Sequence, residues 1–183
     1  MNLPSPSPEA SAHSRELVAA IGREIAARGG WISFARFMEL ALYAPGLGYY
    51  SAGAQKFGAA GDFVTAPEMS AFFGRALARQ VAQVLEASQP RLLEVGAGSG
   101  RLAADLLGEL DALGRLPERY EILELSADLR QRQQATLAAA APYLLPRVHW
   151  LERLPEAFSG AVVANEVLDA MPAHVVAWRD DGI

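Results

Sequence analysis

One short stretch near the middle of the chain constrains the fold more than any other. Residues 91–107 read RLLEVGAGSGRLAADLL, so an aliphatic run meets three closely spaced glycines and then a segment with a helical pattern. Residues 91–95 are too few for a helix and lie between Pro90 and Gly96, which predicts a buried parallel strand. Glycines at a strand-to-helix turn let the backbone bend tightly and touch a ligand directly. The stretch therefore predicts a ligand-binding turn at the edge of a sheet.

Strands and helices alternate through the second half of the chain. Short apolar runs predict four strands, and AHVVAW is a candidate fifth. Helical patterns separate the strands, and Ser126 is placed to cap one of these helices. The strands are predicted within residues 91–95, 120–125, 147–151 and 160–167, with the candidate fifth at 173–178. This order predicts an α/β fold, with a Rossmann-like sheet of four to five mostly parallel strands.

The first half of the chain is predicted to be helical. Residues 1–13 are rich in proline and serine and are expected to form a disordered leader. Residues 14–89 are predicted to form a helical extension with a loop, in which Ser33 caps one helix. Residues 90–183 are predicted to form the sheet domain, and residues 99–114 to form a helix that buries its four leucines from Leu106 to Leu113.

Composition excludes several classes of function. The 183 residues carry a formal net charge of −5 and include no cysteine, so disulfides and thiolate metal sites are excluded. The three histidines are isolated and show no metal-ligand spacing. The acidic balance argues against a nucleic-acid partner. No apolar run reaches the ~20 residues of a membrane helix, and no secretory signal is recognisable, so we expect a cytoplasmic location without membrane insertion.

Two classes of ligand use a glycine turn of this kind. Dinucleotide sites prefer G-x-G-x-x-G, but Arg101 stands where the third glycine would be. The observed pattern, E-x-G-x-G-x-G, resembles motif I of the class I S-adenosylmethionine-dependent methyltransferases. That resemblance implies that the acidic residue supports the amino-acid part of the cofactor, while the turn passes under its sulfonium and ribose. The residues concerned are Glu94, Gly96, Ala97, Gly98 and Gly100.

A second acidic residue is expected at the end of the next strand, where it would accept hydrogen bonds from two ribose hydroxyls. A carboxylate suits this role because it only accepts hydrogen bonds. Glu124 stands at that place, 24 residues after Gly100, and its neighbour Leu125 joins the predicted cofactor site. The alternative is that Glu124 is an exposed carboxylate at the end of a strand.

Longer segments narrow the resemblance to one family. FMELALYAPGLGYY, GDFVTAPEMSAFFG, LLEVGAGSGRLAADLL, YEILELSADLRQRQ and VVANEVLDAMP follow one another in this order. They closely resemble the MidA-like family, relatives of the complex I assembly methyltransferase. The resemblance implies a class I methyltransferase fold with an N-terminal helical extension. It also implies S-adenosylmethionine as cofactor and methylation of a protein arginine, on a complex I subunit in the mitochondrial member.

The family resemblance also bears on the length of the chain and on its loop. Family members are longer, so the sheet is expected to be incomplete, with an apolar edge that would allow a homo-oligomer. The segment GDFVTAPE is expected to fold over the cofactor through Asp62, Thr65 and Pro67. Glu68 has two interpretations. It forms a capping box with Thr65 at the start of a long helix, or it lies near the substrate entrance.

Candidate catalytic residues follow the fourth predicted strand. Asn165, Glu166 and Asp169 lie in ANEVLDAMP. If this segment is helical, Glu166 and Asp169 share a face and could grip a guanidinium in bidentate fashion. The alternative is that Asn165 and Asp169 only cap a short helix. For the whole chain, the competing functions are a non-catalytic cofactor-binding assembly protein and a nicotinamide-dependent oxidoreductase.

Overall fold

The computed structural model describes residues 5–51, 65–180 and 182. The chain separates into two compact units, residues 1–54 with residues 168–183, and residues 55–167. The second unit contains the sheet and the glycine turn. The sequence predicts a domain boundary between residues 89 and 90. In the structure, the helix at residues 71–87 belongs to the sheet unit, because it packs on the helix at residues 101–112.

The sheet unit is built on four parallel strands. They are β1 (Arg91–Val95), β2 (Arg119–Leu123), β3 (Val148–Leu151) and β4 (Ala161–Ala164), in the spatial order β3-β2-β1-β4. The α/β fold with a parallel sheet is therefore confirmed. The candidate fifth strand is wrong, because residues 173–178 are described and form no strand. Val175, Val176 and Trp178 of that segment are exposed, so a strand there would have no buried face.

Helices complete the sheet unit. They are α3 (Ala66–Met69), α4 (Ala71–Ala87), α5 (Arg101–Ala112) and α6 (Ala127–Ala140), followed by a 3₁₀ helix at Pro142–Arg147. Leu106, Leu107 and Leu110 of α5 are fully buried beside Leu92 of β1 in one apolar core. Leu113, which the helical pattern predicts to face inward, is exposed because it caps the end of α5, beyond the last buried turn.

The long helix that is predicted to begin at Thr65 is divided in two. Ser70 is extended and its hydroxyl accepts a hydrogen bond from the Phe72 N–H at 3.1 Å, so a new helix begins there. Within the described residues, the Thr65 side chain makes no capping hydrogen bond. The capping box is therefore wrong, because Ser70 rather than Thr65 supplies the side-chain cap.

The other unit contains α1 (Pro8–Ala27), α2 (Phe34–Tyr43) and a 3₁₀ turn at Leu168–Ala170. Ser33 caps α2 as predicted. The expected disorder is wrong for residues 8–13, since Ser7 accepts a hydrogen bond from the Ala10 N–H at 3.1 Å and Pro8 occupies the first turn. Among the described residues, no helix is both long enough and apolar enough to span a bilayer.

Candidate functional site

The glycine turn connects β1 to α5 in a left-handed backbone conformation. Gly96, Gly98 and Gly100 have φ values of 67°, 54° and 83°. Side chains are disfavoured in this region, which accounts for glycine at all three positions. The Gly96 N–H donates to the Leu123 carbonyl at 3.0 Å, so the turn is fixed to the end of β2.

The neighbours of the turn leave little room for a side chain at two of these glycines. A Cβ atom on Gly100 would lie 2.9 Å from Cα of Gln133, so α6 occupies the space beside this residue. A Cβ atom on Gly96 would lie 3.2 Å from Cγ2 of Val167. Gly100 therefore allows α6 to approach the start of α5, in addition to any role toward a ligand.

Glu124 lies just beyond β2, and hydrogen-bond donors of the protein hold its carboxylate. Oε1 accepts a hydrogen bond from the Ser126 N–H and Oε2 accepts one from Gln133 Nε2, both at 2.9 Å. Burial raises the pKa of the Glu124 carboxyl, and these hydrogen bonds oppose the rise. The Leu125 N–H is a third donor to this carboxylate. Since the two oxygens have four lone pairs between them, acceptor capacity for a further hydroxyl group remains. The exposed-carboxylate alternative is wrong, because Glu124 is buried.

Glu94 is a buried carboxyl in β1. Its side chain is 2% exposed and its Oε2 accepts a hydrogen bond from the Tyr120 hydroxyl at 2.8 Å. Burial raises the pKa of Glu94 to about 7; the Tyr120 hydrogen bond opposes this rise and the charge of Glu124 adds to it. The pKa of Tyr120 is raised well above its ordinary value, mainly by burial. Glu94 therefore changes its charge near neutral pH.

Gln133 is a site residue that the sequence analysis did not identify. It is fully buried in α6, and its amide contacts the glycine turn, Glu124 and Trp150. A signal was present, because Leu129, Gln133 and Leu137 are spaced four residues apart and form the buried face of α6. A polar residue within such a face requires buried hydrogen-bond partners.

A second polar contact joins the TAPE segment to the glycine turn. The Ser99 hydroxyl donates a hydrogen bond to Glu68 Oε1. The Ser99 carbonyl accepts a hydrogen bond from Thr136 Oγ1 at 2.8 Å. Glu68 therefore contacts the turn, in place of the expected capping role. Of the residues assigned to the covering segment, Pro67 is buried, Thr65 is half-buried and Asp62 lies outside the described residues.

The candidate catalytic residues are not arranged on one helix. Glu166 has a φ of 52°, and the helical turn begins only at Leu168. Glu166 and Asp169 are exposed, and Asn165 is half-buried. Asp169 belongs to the first unit, whereas Asn165 and Glu166 belong to the sheet unit. The expected i, i+3 pairing on a shared helical face is therefore wrong, because left-handed backbone at Glu166 interrupts the helix.

An open groove of about 450 Å³ lies at the carboxyl ends of β2 and β3. It is lined by Leu125, Ala127, Arg130, Gln131, Gln134 and Glu152. Leu125 is 74% exposed, an unusual exposure for a leucine that directly follows the buried Glu124. Ligands of open parallel sheets bind beyond the carboxyl ends of the strands, so the glycine turn and Glu124 form the candidate site. The groove begins at Leu125, the residue that follows Glu124.

Comparisons with known proteins agree with this geometry. Residues 76–183 match a family model described as "Putative S-adenosyl-L-methionine-dependent methyltransferase". A crystal structure from Burkholderia thailandensis, bound to S-adenosyl-homocysteine, is 57% identical, with a TM-score of 0.86. The match covers 93% of this chain and 46% of that one.

Two curated relatives are named protein arginine methyltransferase NDUFAF7, mitochondrial. The Danio rerio protein is 30% identical over 84% of this chain and 42% of its own length. The Mus musculus protein is 31% identical over 79% of this chain and 39% of its own length. The chain thus spans less than half the length of these relatives. The expected cytoplasmic location is wrong, because these relatives are named as mitochondrial proteins.

Proposed function

Since the chain belongs to the S-adenosyl-L-methionine-dependent methyltransferase family whose model it matches, we propose that it binds this cofactor at the glycine turn. The observation that carries the proposal is the buried Glu124 carboxylate. Protein donors hold it beside the turn while acceptor capacity remains for a ribose hydroxyl. The nicotinamide alternative is less well supported, since Arg101 occupies the position of its third glycine.

The residues present fit such a cofactor in chemistry and in space. Gly96 and Gly98 present bare backbone, which allows a ligand to lie against the main chain. Glu94, which is buried, would support the amino-acid part from behind the turn, and Glu124 would bind the ribose. The exposed Leu125 offers apolar surface to the base. Ala97 and Gly100 complete the turn, and Thr65 and Pro67 are proposed to cover the ligand. When bound, the cofactor supplies a methyl group already activated by its sulfonium.

We further propose that the methyl acceptor is an arginine of a protein substrate. From the resemblance to the MidA-like family, we propose that this substrate is a complex I subunit. The names of the curated relatives support arginine as the acceptor. Glu166, aided by Asn165 of the same unit, would grip and orient the guanidinium, since carboxylate–guanidinium pairing is bidentate and directional. Two observations support this role for Glu166. Its side chain is exposed, and its φ of 52° is a strained backbone conformation of a kind that occurs often at functional positions.

Titration calorimetry tests cofactor binding directly. The chain is expected to bind S-adenosylhomocysteine and not NADH. Glu124→Gln should weaken binding about tenfold, about 1.4 kcal/mol, because an amide group places a donor where the hydroxyls require an acceptor. Glu118→Gln is the matched control, since Glu118 is exposed. Failure to bind S-adenosylhomocysteine, or equal binding by the Glu124 variant, contradicts the proposal.

Methyl transfer tests the acceptor and Glu166. The chain is incubated with radiolabelled S-adenosylmethionine and mitochondrial protein, and the labelled residue is identified after hydrolysis. Methylarginine is expected. Glu166→Asn should reduce labelling at least ~10-fold with unchanged cofactor affinity, since asparagine tolerates the left-handed backbone but lacks the charge. Labelling of another residue type, or cofactor binding without any labelling, would overturn the arginine assignment.

A further inference from the structure

We propose that Gln133 is a positioning residue for the cofactor, acting through Glu124 and the glycine turn. Its amide would hold the acidic strand end and the turn at a fixed separation, with Trp150 setting the orientation of the amide. The inference rests on the proposed cofactor function, because Glu124 is the group through which Gln133 would act.

A single nitrogen atom of Gln133 connects the two halves of the candidate site. Nε2 donates to the Gly98 carbonyl at 3.1 Å and to Glu124 Oε2 at 2.9 Å. A primary amide has two N–H donors, and both are used here. The side chain is fully buried, so it acts on a ligand through Glu124 and Gly98 rather than by direct contact.

Trp150 determines which way the Gln133 amide points. Its indole Nε1 donates to Gln133 Oε1 at 2.9 Å. Because an indole N–H can only donate, the amide oxygen must face Trp150 and the amide nitrogen must face the turn. The three hydrogen bonds therefore lead from β3 to Gln133 of α6, and from there both to the end of β2 and to the glycine turn.

Close packing of α6 on the glycine turn also helps to hold Gln133 in place. The absence of a side chain at Gly100 lets Gln133 lie directly against the turn, where a Cβ atom would be 3.3 Å from the Gln133 Cβ. One turn later, Thr136 Oγ1 donates to the Ser99 carbonyl at 2.8 Å. Two side chains of α6 therefore bond consecutive carbonyls of the turn, those of Gly98 and Ser99, and Gln133 in addition bonds Glu124.

The first test measures affinity for S-adenosylhomocysteine by calorimetry. Gln133→Met keeps the length of the side chain but removes both donors, and we expect the dissociation constant to rise about tenfold, about 1.4 kcal/mol. Trp150→Phe should raise it about threefold, since the amide loses only its orienting donor. Leu137→Ala is the matched control. Leu137 lies on the same buried face of α6, so its loss destabilises the fold while affinity in the folded protein should change less than about twofold.

The second test uses Trp150 as a spectroscopic reporter. Trp31 and Trp178 are 72% and 83% exposed and belong to the other unit. In a Trp31→Phe, Trp178→Phe background, Trp150 emission should shift when S-adenosylhomocysteine binds. At saturating ligand, Gln133→Met should abolish that shift, an effect that simple destabilisation would not produce.

The outcomes separate the two proposals. If the unsubstituted chain does not bind S-adenosylhomocysteine, the proposed function fails. If it binds, but Gln133→Met binds within about twofold and retains the Trp150 shift, the positioning role is overturned. If Gln133→Met does not fold, Trp150→Phe decides the question, and unchanged affinity in that variant counts against the inference.

Discussion

The carboxylates within β1 and just after β2 differ sharply from those that follow β4. Glu94 and Glu124 are buried, and hydrogen-bond donors from neighbouring elements fix their side chains. Glu166 and Asp169 are exposed, and the first of them has strained backbone. The difference indicates that the packing of the sheet unit itself prepares the proposed cofactor site. The carboxylate of Glu166, which is proposed to hold the acceptor, lies at the surface, where a substrate can reach it.

The largest expected effect concerns the glycine turn. Gly100→Ala should destabilise the fold by about 4 kcal/mol, because its Cβ would overlap the backbone of α6 and φ is 83°. Gly114→Ala is the matched control. Gly114 has a φ of 65°, but a Cβ atom there would meet no atom of the described residues within 4 Å, so about 1 kcal/mol is expected. Urea unfolding measures both variants, and equal losses would show that α6 does not constrain the turn.

The next effect concerns the charge of Glu94. Its pKa is about 7 in the folded chain and ordinarily 4.5, so folding takes up a proton between these values. Stability contributed by this group therefore falls as pH rises from about 4.5 to 7 and is level above. Glu94→Gln removes this titrating group. The free energy of unfolding of the variant, relative to that of the unsubstituted chain, should therefore rise by up to about 3 kcal/mol as pH increases through this window.

Urea unfolding at pH 5 and pH 8 measures this difference for Glu94. Glu166→Gln is the matched control from the other group of carboxylates, because Glu166 is exposed. A relative stability of Glu94→Gln that does not change between the two pH values would show that Glu94 is not held in the proposed buried state. It would also remove the contrast between the two groups.

The smallest effect concerns the strain at Glu166. Glu166→Gly should stabilise the fold by about 0.5 kcal/mol, since relief of the left-handed backbone slightly exceeds the entropic cost of glycine. The same substitution at Asp169, which lies in a right-handed 3₁₀ turn, should destabilise. A loss of stability at Glu166 would indicate that its side chain contributes to the fold, which would weaken the contrast with Glu94.

Local sequence was sufficient to predict many secondary-structure elements. The four strands, the caps at Ser33 and Ser126 and the glycine turn depend on short-range patterns, and each is confirmed. The resemblance to the MidA-like family is also confirmed, by the family match and the relatives. Predictions from the sequence were wrong where one local pattern is compatible with more than one structure. AHVVAW has strand propensity without a pairing partner among the described residues, and Thr65 lost its capping role to Ser70.

The sequence by itself determined that glycines follow one buried strand and an acid follows the next, which is the basis of the proposed cofactor site. Tertiary structure decided how that site is held. The bond from Gln133 to Gly98 spans 35 residues and the contact of Glu68 with Ser99 spans 31. No periodicity encodes such pairings, since they arise only when α3 and α6 pack against the turn. Burial of Glu94, and with it the pKa near 7, likewise exists only once the core has closed around the carboxyl.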